Sequence, residues 1–403
     1  MSHYPWLSVI GLGEDGLMGL SPAAARLVSQ ASLVVGGARH LRLIGSTDGE
    51  QMAWPSPLQE AFPAILARRG RPVCVLASGD PFFFGVGSLL AQIIPSAEMT
   101  CHPQPSAFSL AAARLGWPLQ DCALLSLHGR ALDHAIPALQ PCARILALSW
   151  DGETPAQLAR LLVGKGLGAS IITVCEAMGG RRERLRQTRA DAFDFAEIDP
   201  LNAVAVEVAA TEPQRVPPRS AGLPDSWFES DGQLTKSEMR ALTLSALAPR
   251  PRETLWDVGA GSGSIAIEWL LADPSMKATA IEQKGERCAR IRRNAAGLGV
   301  SQLCVVEGRA PAVLAGLAAP DAVFIGGGFS EPDVFETCWE ALRVGGRLVL
   351  NAVTIESQAE AISRHGTLGG SLVQAQFARA EAVGRFHGFR PAMPVVQWKV
   401  VKR

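Results

Sequence analysis

The sequence predicts two consecutive α/β domains, the second an open parallel sheet with helices on both faces. Three observations lead there. Short apolar runs alternate with helical stretches along almost the whole chain, and parallel strands need such crossovers. The segment Thr211 to Pro224 breaks the alternation with four prolines and little to bury, which suits an extended linker. Finally, 403 residues at 48% hydrophobic content are more than one core usually serves. The expected division is 1–212, a linker at 213–227, and 228–403.

The first domain opens on a strand, Ser8-Val9-Ile10, that runs into Gly11-Leu12-Gly13-Glu14-Asp15-Gly16. This satisfies G-x-G-x-x-G, yet the next helix is expected only at Ser21-Pro22, an N-cap followed by proline at the first helical position. The following strand, Leu33-Val34-Val35, ends in Gly36-Gly37 without an acidic residue to hold a ribose. A dinucleotide site is therefore rejected here.

The second domain reads as a helix over Thr235–Leu247 and strands at Thr254–Val258, Ala278–Ile281, Leu303–Glu307, Ala322–Ile325 and Arg347–Asn351, each separated by a helical stretch. Two strands, Ser371–Glu381 and Val395–Val401, follow with no helix between them.

Chemistry concentrates where the first of these strands ends. Leu255-Trp256-Asp257-Val258 runs into Gly259-Ala260-Gly261-Ser262-Gly263, a turn whose glycines let backbone approach a ligand closely. About twenty residues on, the next strand ends at Glu282, placed to accept both hydroxyls of a ribose. The third glycine of a dinucleotide fingerprint is replaced by Ser264, and Asp257 would repel a pyrophosphate. An adenosyl ligand without phosphates fits better. S-adenosylmethionine is the commonest.

Composition excludes other classes. Lys+Arg and Asp+Glu both total 38, so there is no basic excess for nucleic acid or a membrane surface. Eight scattered cysteines without a C-x-x-C pair suggest neither a zinc site nor a disulfide framework, and most are expected to be buried thiols. No metal site is expected. The start of the chain lacks a basic segment followed by an apolar one, and no apolar run approaches ~20 residues, so a cytoplasmic protein is expected.

The first half resembles the tetrapyrrole methylase family. The resemblance rests on Gly11-Leu12-Gly13 with Leu20-Ser21, on Leu76-Ala77-Ser78-Gly79-Asp80-Pro81 through Gly85, and on Pro105-Ser106-Ala107 with Ala113-Arg114-Leu115-Gly116. Glu176-Ala177-Met178-Gly179-Gly180 with Glu183-Arg184 extends it, so that it spans nearly all of 7–210. Glu14 departs from the proline many relatives carry. The resemblance implies a two-lobed fold holding the cofactor at Gly79, Asp80, Phe83, Ser106, Ala107 and His128.

The second half resembles the decarboxylating precorrin methyltransferases, through Gly232-Gln233-Leu234-Thr235-Lys236-Ser237-Glu238, Asp257 to Gly263, Glu307-Gly308-Arg309-Ala310-Pro311 and Ile325-Gly326-Gly327-Gly328. It covers roughly 228–403 and implies a Rossmann-like class I methyltransferase fold with an antiparallel closing strand. A second cofactor site is implied at Thr235, Asp257, Gly259, Ala260, Gly261, Ser262, Gly263, Glu282 and Ala310.

Joined in this order, the halves are similar to the fused methyltransferases of cobalamin synthesis. That likeness implies two S-adenosylmethionine sites, with S-adenosylhomocysteine as by-product. It also implies methylation of a precorrin tetrapyrrole at carbons 5 and 15 (precorrin-6B to precorrin-8X), decarboxylation of the ring C acetate, and a homo-oligomer. Catalytic groups are not identifiable from the sequence. An NAD-dependent oxidoreductase, suggested by Gly11–Gly16, and a non-catalytic adenosylmethionine-binding regulator remain as alternatives.

Other residues carry two readings each. Arg181, Arg182, Arg184, Arg186 and Arg189 suit substrate carboxylates or a solvated loop, with the loop favoured. Arg287, Arg290, Arg292 and Arg293 suit a solvated helix face. Phe82-Phe83-Phe84 suits a core or a stacking platform. Glu331 and Asn351 are candidates for substrate contact or proton handling.

Overall fold

The computed structural model describes residues 5–210 and 215–403. The chain forms two compact units. One comprises the described residues up to Leu132 with Ala138–Arg215, the other Asp133–Pro137 with Val216–Arg403. The expected cut at 211–224 overlaps residues 211–214, which lie outside the described residues.

The N-terminal unit holds two five-stranded sheets. The first contains β1 (Leu7–Leu12), β2 (Leu33–Gly36), β3 (Glu50–Ala53), β4 (Val73–Ser78) and β5 (Met99–His102), all parallel in the order β3-β2-β4-β1-β5. β1 is buried along its whole length, as a central strand covered on both faces must be. The helix Pro22–Ser29 starts as the sequence predicts, with the Ser21 hydroxyl accepting from the Ala24 N–H and proline in the first turn. A short 3-10 turn, Gly16–Gly19, comes first, so this helix does not open on the glycine run. The second sheet contains β6 (Cys122–Ser126), β7 (Arg144–Leu148), β8 (Ile171–Glu176), β9 (Arg184–Arg189) and β10 (Asn202–Glu207), in the order β6-β7-β10-β8-β9. Here β10 runs antiparallel to both neighbours.

The C-terminal unit is built on one seven-stranded sheet. Its parallel strands are β11 (Thr254–Val258), β12 (Lys277–Glu282), β13 (Cys304–Glu307), β14 (Ala322–Ile325) and β15 (Arg347–Ala352). Next come β16 (Ser371–Ala375), β17 (Ala378–Val383), β18 (Phe386–Pro391) and β19 (Val395–Val401). The order is β13-β12-β11-β14-β15-β19-β16, with β19 inserted antiparallel between β15 and β16. Helices Ser237–Leu247, Ser264–Ala272 and Gly285–Leu298 cover one face, and Val334–Ala341 and Ile355–Leu368 the other. Trp398 of β19, fully buried, stacks on Phe335 at 5.7 Å and ties the inserted strand to the second face.

Four expectations are corrected. The single strand expected over Ser371–Glu381 is broken at Gln376-Phe377. Its second half pairs instead with β18 as a separate two-stranded hairpin, closed by the two-residue turn Gly384-Arg385. No helix links β13 to β14, because Gly308, Pro311, Gly316 and Pro320 leave room only for the 3-10 turn Ala312–Leu314. The segment expected to bury little places Val216 and Leu223 in the interior. Both carboxylate oxygens of Glu268 accept backbone N–H groups there, from Gly222 at 2.6 Å and Leu223 at 3.0 Å. Four of the eight cysteines are buried rather than most of them, and all are free thiols. Among the described residues no helix is long and apolar enough to cross a membrane.

Candidate functional site

The C-terminal site forms where β11, β12 and β14 end. Gly259 has φ +73°, and a Cβ there would lie 2.7 Å from the Gly327 nitrogen, so the turn after β11 abuts the turn after β14 backbone to backbone. Gly261 is different: only the Gln233 oxygen, at 3.5 Å, lies near its absent Cβ, and the residue is needed for its φ of +60° alone. Gly263 sits beneath the turn against Ile291. These turns line a 420 Å³ cavity. Thr235, Asp257, Gly259, Ala260, Gly261, Ser262, Glu282 and Ala310 all line it, while Gly263 shapes the turn from behind.

Two carboxylates stand at the base. Glu282 is buried and accepts from the Gly261 N–H and the Lys284 N–H, each at 3.0 Å. Asp257 is 1% exposed; its Oδ2 accepts from the Ala266 N–H at 3.1 Å, and its Oδ1 has no partner. Burial pushes the Asp257 carboxyl up to about 7; the Ala266 bond opposes this and the charge of Glu282 adds to it. An acid protonated in the fold but ionised in the unfolded chain favours folding at low pH. Its cost is absent below about pH 4, grows through the interval, and is complete above about pH 7. Asp257→Asn is therefore expected to raise stability by up to ~4 kcal/mol at pH 8 and by much less at pH 5. Cofactor-free thermal melts at both values check this, and an equal gain at each would contradict it.

Residues not anticipated also line the cavity. Gln233, Leu234, Gln283, Arg287 and Val353 are among them. Gln283 could have been found, since it directly follows the strand-ending Glu282. Leu234 and Val353 carry no chemical signal. Arg287 and Arg290 are not a solvated face: they are 13% and 17% exposed and share Asp231, at 2.8 and 3.3 Å. Glu331 lines the cavity in an ion pair with Arg309.

A second cavity, of 630 Å³, shares Leu234, Thr235, Phe324, Gly326 and Val353 with the first. Asn351 lines it, with its amide held between Gln397 at 2.9 Å and Thr243 at 2.8 Å. One wall comes from the β17–β18 hairpin.

In the N-terminal unit three backbone turns meet at the ends of β1 and β4 and just beyond β5. A Cβ on Gly11 would fall 1.8 Å from the Gly79 oxygen, and one on Gly79 would fall 2.7 Å from the Ser106 Cα. Gly79, Asp80, Ser106 and Ala107 are thus brought together. Asp80 Oδ1 accepts from the Phe82 N–H at 2.8 Å, and Ser106 caps the helix Ala107–Leu115 through the Ser109 N–H. Phe82, Phe83 and Phe84 are exposed rather than core, with Phe83 edge-on to Phe108 at 5.3 Å. His128 is exposed and stacks on Trp150 at 5.5 Å. Two residues on, the Arg130 guanidinium lies over the Phe84 ring at 5.8 Å and links the two loops.

The arginines after β8 do something else. Arg184 and Arg186 converge on Glu176, whose side chain is 1% exposed, and Arg182 pairs with Asp199. Burial alone would raise the Glu176 carboxyl, but Arg184, the Asp199 N–H and Arg186 outweigh it and hold it below the usual range. Arg184 and Arg186 thus neutralise a buried internal charge, which neither reading from the sequence describes, whereas Arg182 and Arg189 are themselves exposed, as the solvated reading has it.

Comparisons with known proteins agree with this architecture. The family "Tetrapyrrole (Corrin/Porphyrin) Methylases" matches residues 7–194, and "Precorrin methyltransferase domain" matches 226–402. A Sinorhizobium protein named precorrin-6Y C(5,15)-methyltransferase [decarboxylating] is 56% identical, covering 99% of this chain and 97% of its own. The chain belongs to that family. A Mycobacterium tuberculosis member is 40% identical over 98% of this chain and 99% of its own. A cobalt-precorrin-7 C(5)-methyltransferase of Salmonella typhimurium is 30% identical, over 50% of this chain and 98% of its own. Membership implies a methyltransferase that uses S-adenosylmethionine and acts on a precorrin, and it does not support the oxidoreductase reading.

Proposed function

We propose that this chain transfers methyl groups from S-adenosylmethionine to carbons 5 and 15 of a precorrin and removes the ring C acetate carboxyl as carbon dioxide. One cofactor site lies in each unit. The observation that carries this reading is the joining, in one chain, of two differently built glycine-turn sites of two methyltransferase families. A relative half as long, named for carbon 5 alone, supports giving carbon 5 to the N-terminal unit. Carbon 15 and the decarboxylation then fall to the C-terminal unit. The homo-oligomer rests on the family resemblance, and the cytoplasmic location on the hydropathy of the sequence.

The residues present fit the cofactor. The cavity is lined by Asp257 and Ser262, whose Oδ1 and Oγ have no partner, and its 420 Å³ lies in the range of small-ligand pockets. Glu282 would take the ribose hydroxyls and Thr235 would stand at the mouth between the two cavities. Gly79, Asp80, Ser106 and Ala107 would hold the second molecule, with Phe83 and His128 at its edge. When bound, the cofactor supplies an electrophilic methyl group on a sulfonium. Methylation of an enamine-like carbon needs alignment more than a strong base, and holding both partners can remove ~7–11 kcal/mol of barrier. The protein's task is to position, and no nucleophilic triad is required.

Calorimetry with S-adenosylhomocysteine is expected to give two equivalents per chain, and product masses from precorrin-6B two added methyls less one carbon dioxide. One equivalent, or binding of NADH instead, would count against the reading. Separated pieces would assign the two reactions. A second piece starting at residue 225 would lose Leu223 and two N–H donors to Glu268, so it should begin at Val216.

A further inference from the structure

We propose that Arg379 and Arg390 form a carboxylate clamp that seats the tetrapyrrole beside the methyl donor in the C-terminal unit. This rests on the function proposed above and names the part of the chain that reads the substrate.

The hairpin that carries the clamp pairs with no other strand among the described residues, and every residue of β17 and β18 except Gly388 is exposed, so it adds nothing to the core of its own unit. Isolated two-stranded hairpins are marginal in water. Its ladder also sets Arg379 directly opposite Arg390, and like charges at opposite positions repel. Both arginines line the 630 Å³ cavity, which shares five lining residues with the glycine-turn cavity. Two guanidiniums on one face at the wall of a ligand-sized cavity are an arrangement that can seat a carboxylate between them.

Three cations, Lys236, Arg379 and Arg390, and two carboxylates, Glu238 and Glu381, line the cavity, with Asp225 beside them facing Lys236 and Arg379. Arg379 donates to Glu238 at 2.6 Å and faces Asp225 at 3.4 Å, while Arg390 faces Glu381 at 3.2 Å. These pairs are half-exposed to exposed, and such pairs contribute little, so a substrate carboxylate displaces them at small cost. The remaining walls include the exposed Met393 over the buried Met239 and Phe324, an apolar side for a macrocycle whose rim bears acetates and propionates. A planar guanidinium meets such a carboxylate through two parallel hydrogen bonds.

The test uses the full chain and the tetrapyrrole substrate, reading carbon dioxide release and the KM for the tetrapyrrole, with calorimetry of S-adenosylhomocysteine beside it. Arg379→Ala and Arg390→Gln are each expected to raise that KM ~10-fold, and together ~100-fold, as loss of charge-assisted bonds predicts. Cofactor affinity should hold. Glu238→Gln and Glu381→Gln, which remove competing acceptors, should lower the KM. Arg390 is 77% exposed, so its variant keeps the test open if Arg379→Ala disturbs the hairpin. An unchanged KM overturns the clamp. So does a rise in KM from the glutamine variants equal to that of the arginine variants, which would make the arginines structural partners only. A fall in cofactor affinity at constant KM would assign the arginines to the methionine carboxylate and overturn it too. Wild-type chain that fails to turn over the tetrapyrrole would sink the functional reading, whereas wild-type turnover with indifferent variants sinks the clamp alone.

Discussion

Glu282→Ala is expected to empty the C-terminal cofactor site while the N-terminal site stays filled. The buried carboxylate already holds the Gly261 and Lys284 N–H groups at 3.0 Å, so its loss frees the cradle as well as removing the ribose acceptor. Two charge-assisted bonds at ~1.5–3 kcal/mol each correspond to a Kd weakened roughly 10²- to 10⁴-fold. Glu282→Gln keeps the shape and one acceptor oxygen, and should fall between. In calorimetry the stoichiometry should drop from two to one, with carbon dioxide release lost and methylation at carbon 5 retained. Two sites of wild-type affinity, or the loss of both at once, would show that Glu282 does not serve one independent site.

Gly11→Ala should be the most damaging single change in the N-terminal unit. The new Cβ would lie 1.8 Å from the Gly79 oxygen and 2.7 Å from the Gln104 nitrogen, both backbone atoms that cannot swing aside. Those atoms also bond each other at 3.0 Å, so relief requires parting the turn that presents Gly79 and Asp80. A cost of about 3–5 kcal/mol, at the top of the range for point changes, is expected. Thermal melts should show an early transition, and methylation at carbon 5 should disappear. Asp80→Ala, which removes only a turn bond to the Phe82 N–H, should weaken N-terminal occupancy without that loss of stability. Wild-type melting for Gly11→Ala would mean the turn is not packed as described.

The candidate residues that the fold gathers at one cavity share one property. Asp257, the turn Gly259–Gly263 and Glu282 lie within a few positions of a strand end, and turn chemistry of that kind is local. Ser21-Pro22 marked its helix for the same reason. The misreadings share the opposite property. Ser371–Glu381 alternates plausibly as one strand, and only pairing reveals the break at Gln376-Phe377, although Gly384-Arg385 was a visible hairpin turn. The basic run after residue 180 looked like a loop because its partner, Glu176, meets Arg184 only across the β8–β9 ladder.

The sequence by itself determined that two α/β units follow one another, where glycine turns close the strands of the candidate sites, and which carboxylate ends β12. Those features depend on residues a few positions apart, whose φ, capping and polarity are properties of the local chain. Only the tertiary structure decided which charges answer one another. Strand register sets Arg379 opposite Arg390, depth lifts the Asp257 carboxyl, and the approach of separate turns makes Gly11 and Gly259 irreplaceable. Electrostatic and steric energies act through space, and the distances that scale them exist only once remote segments are packed.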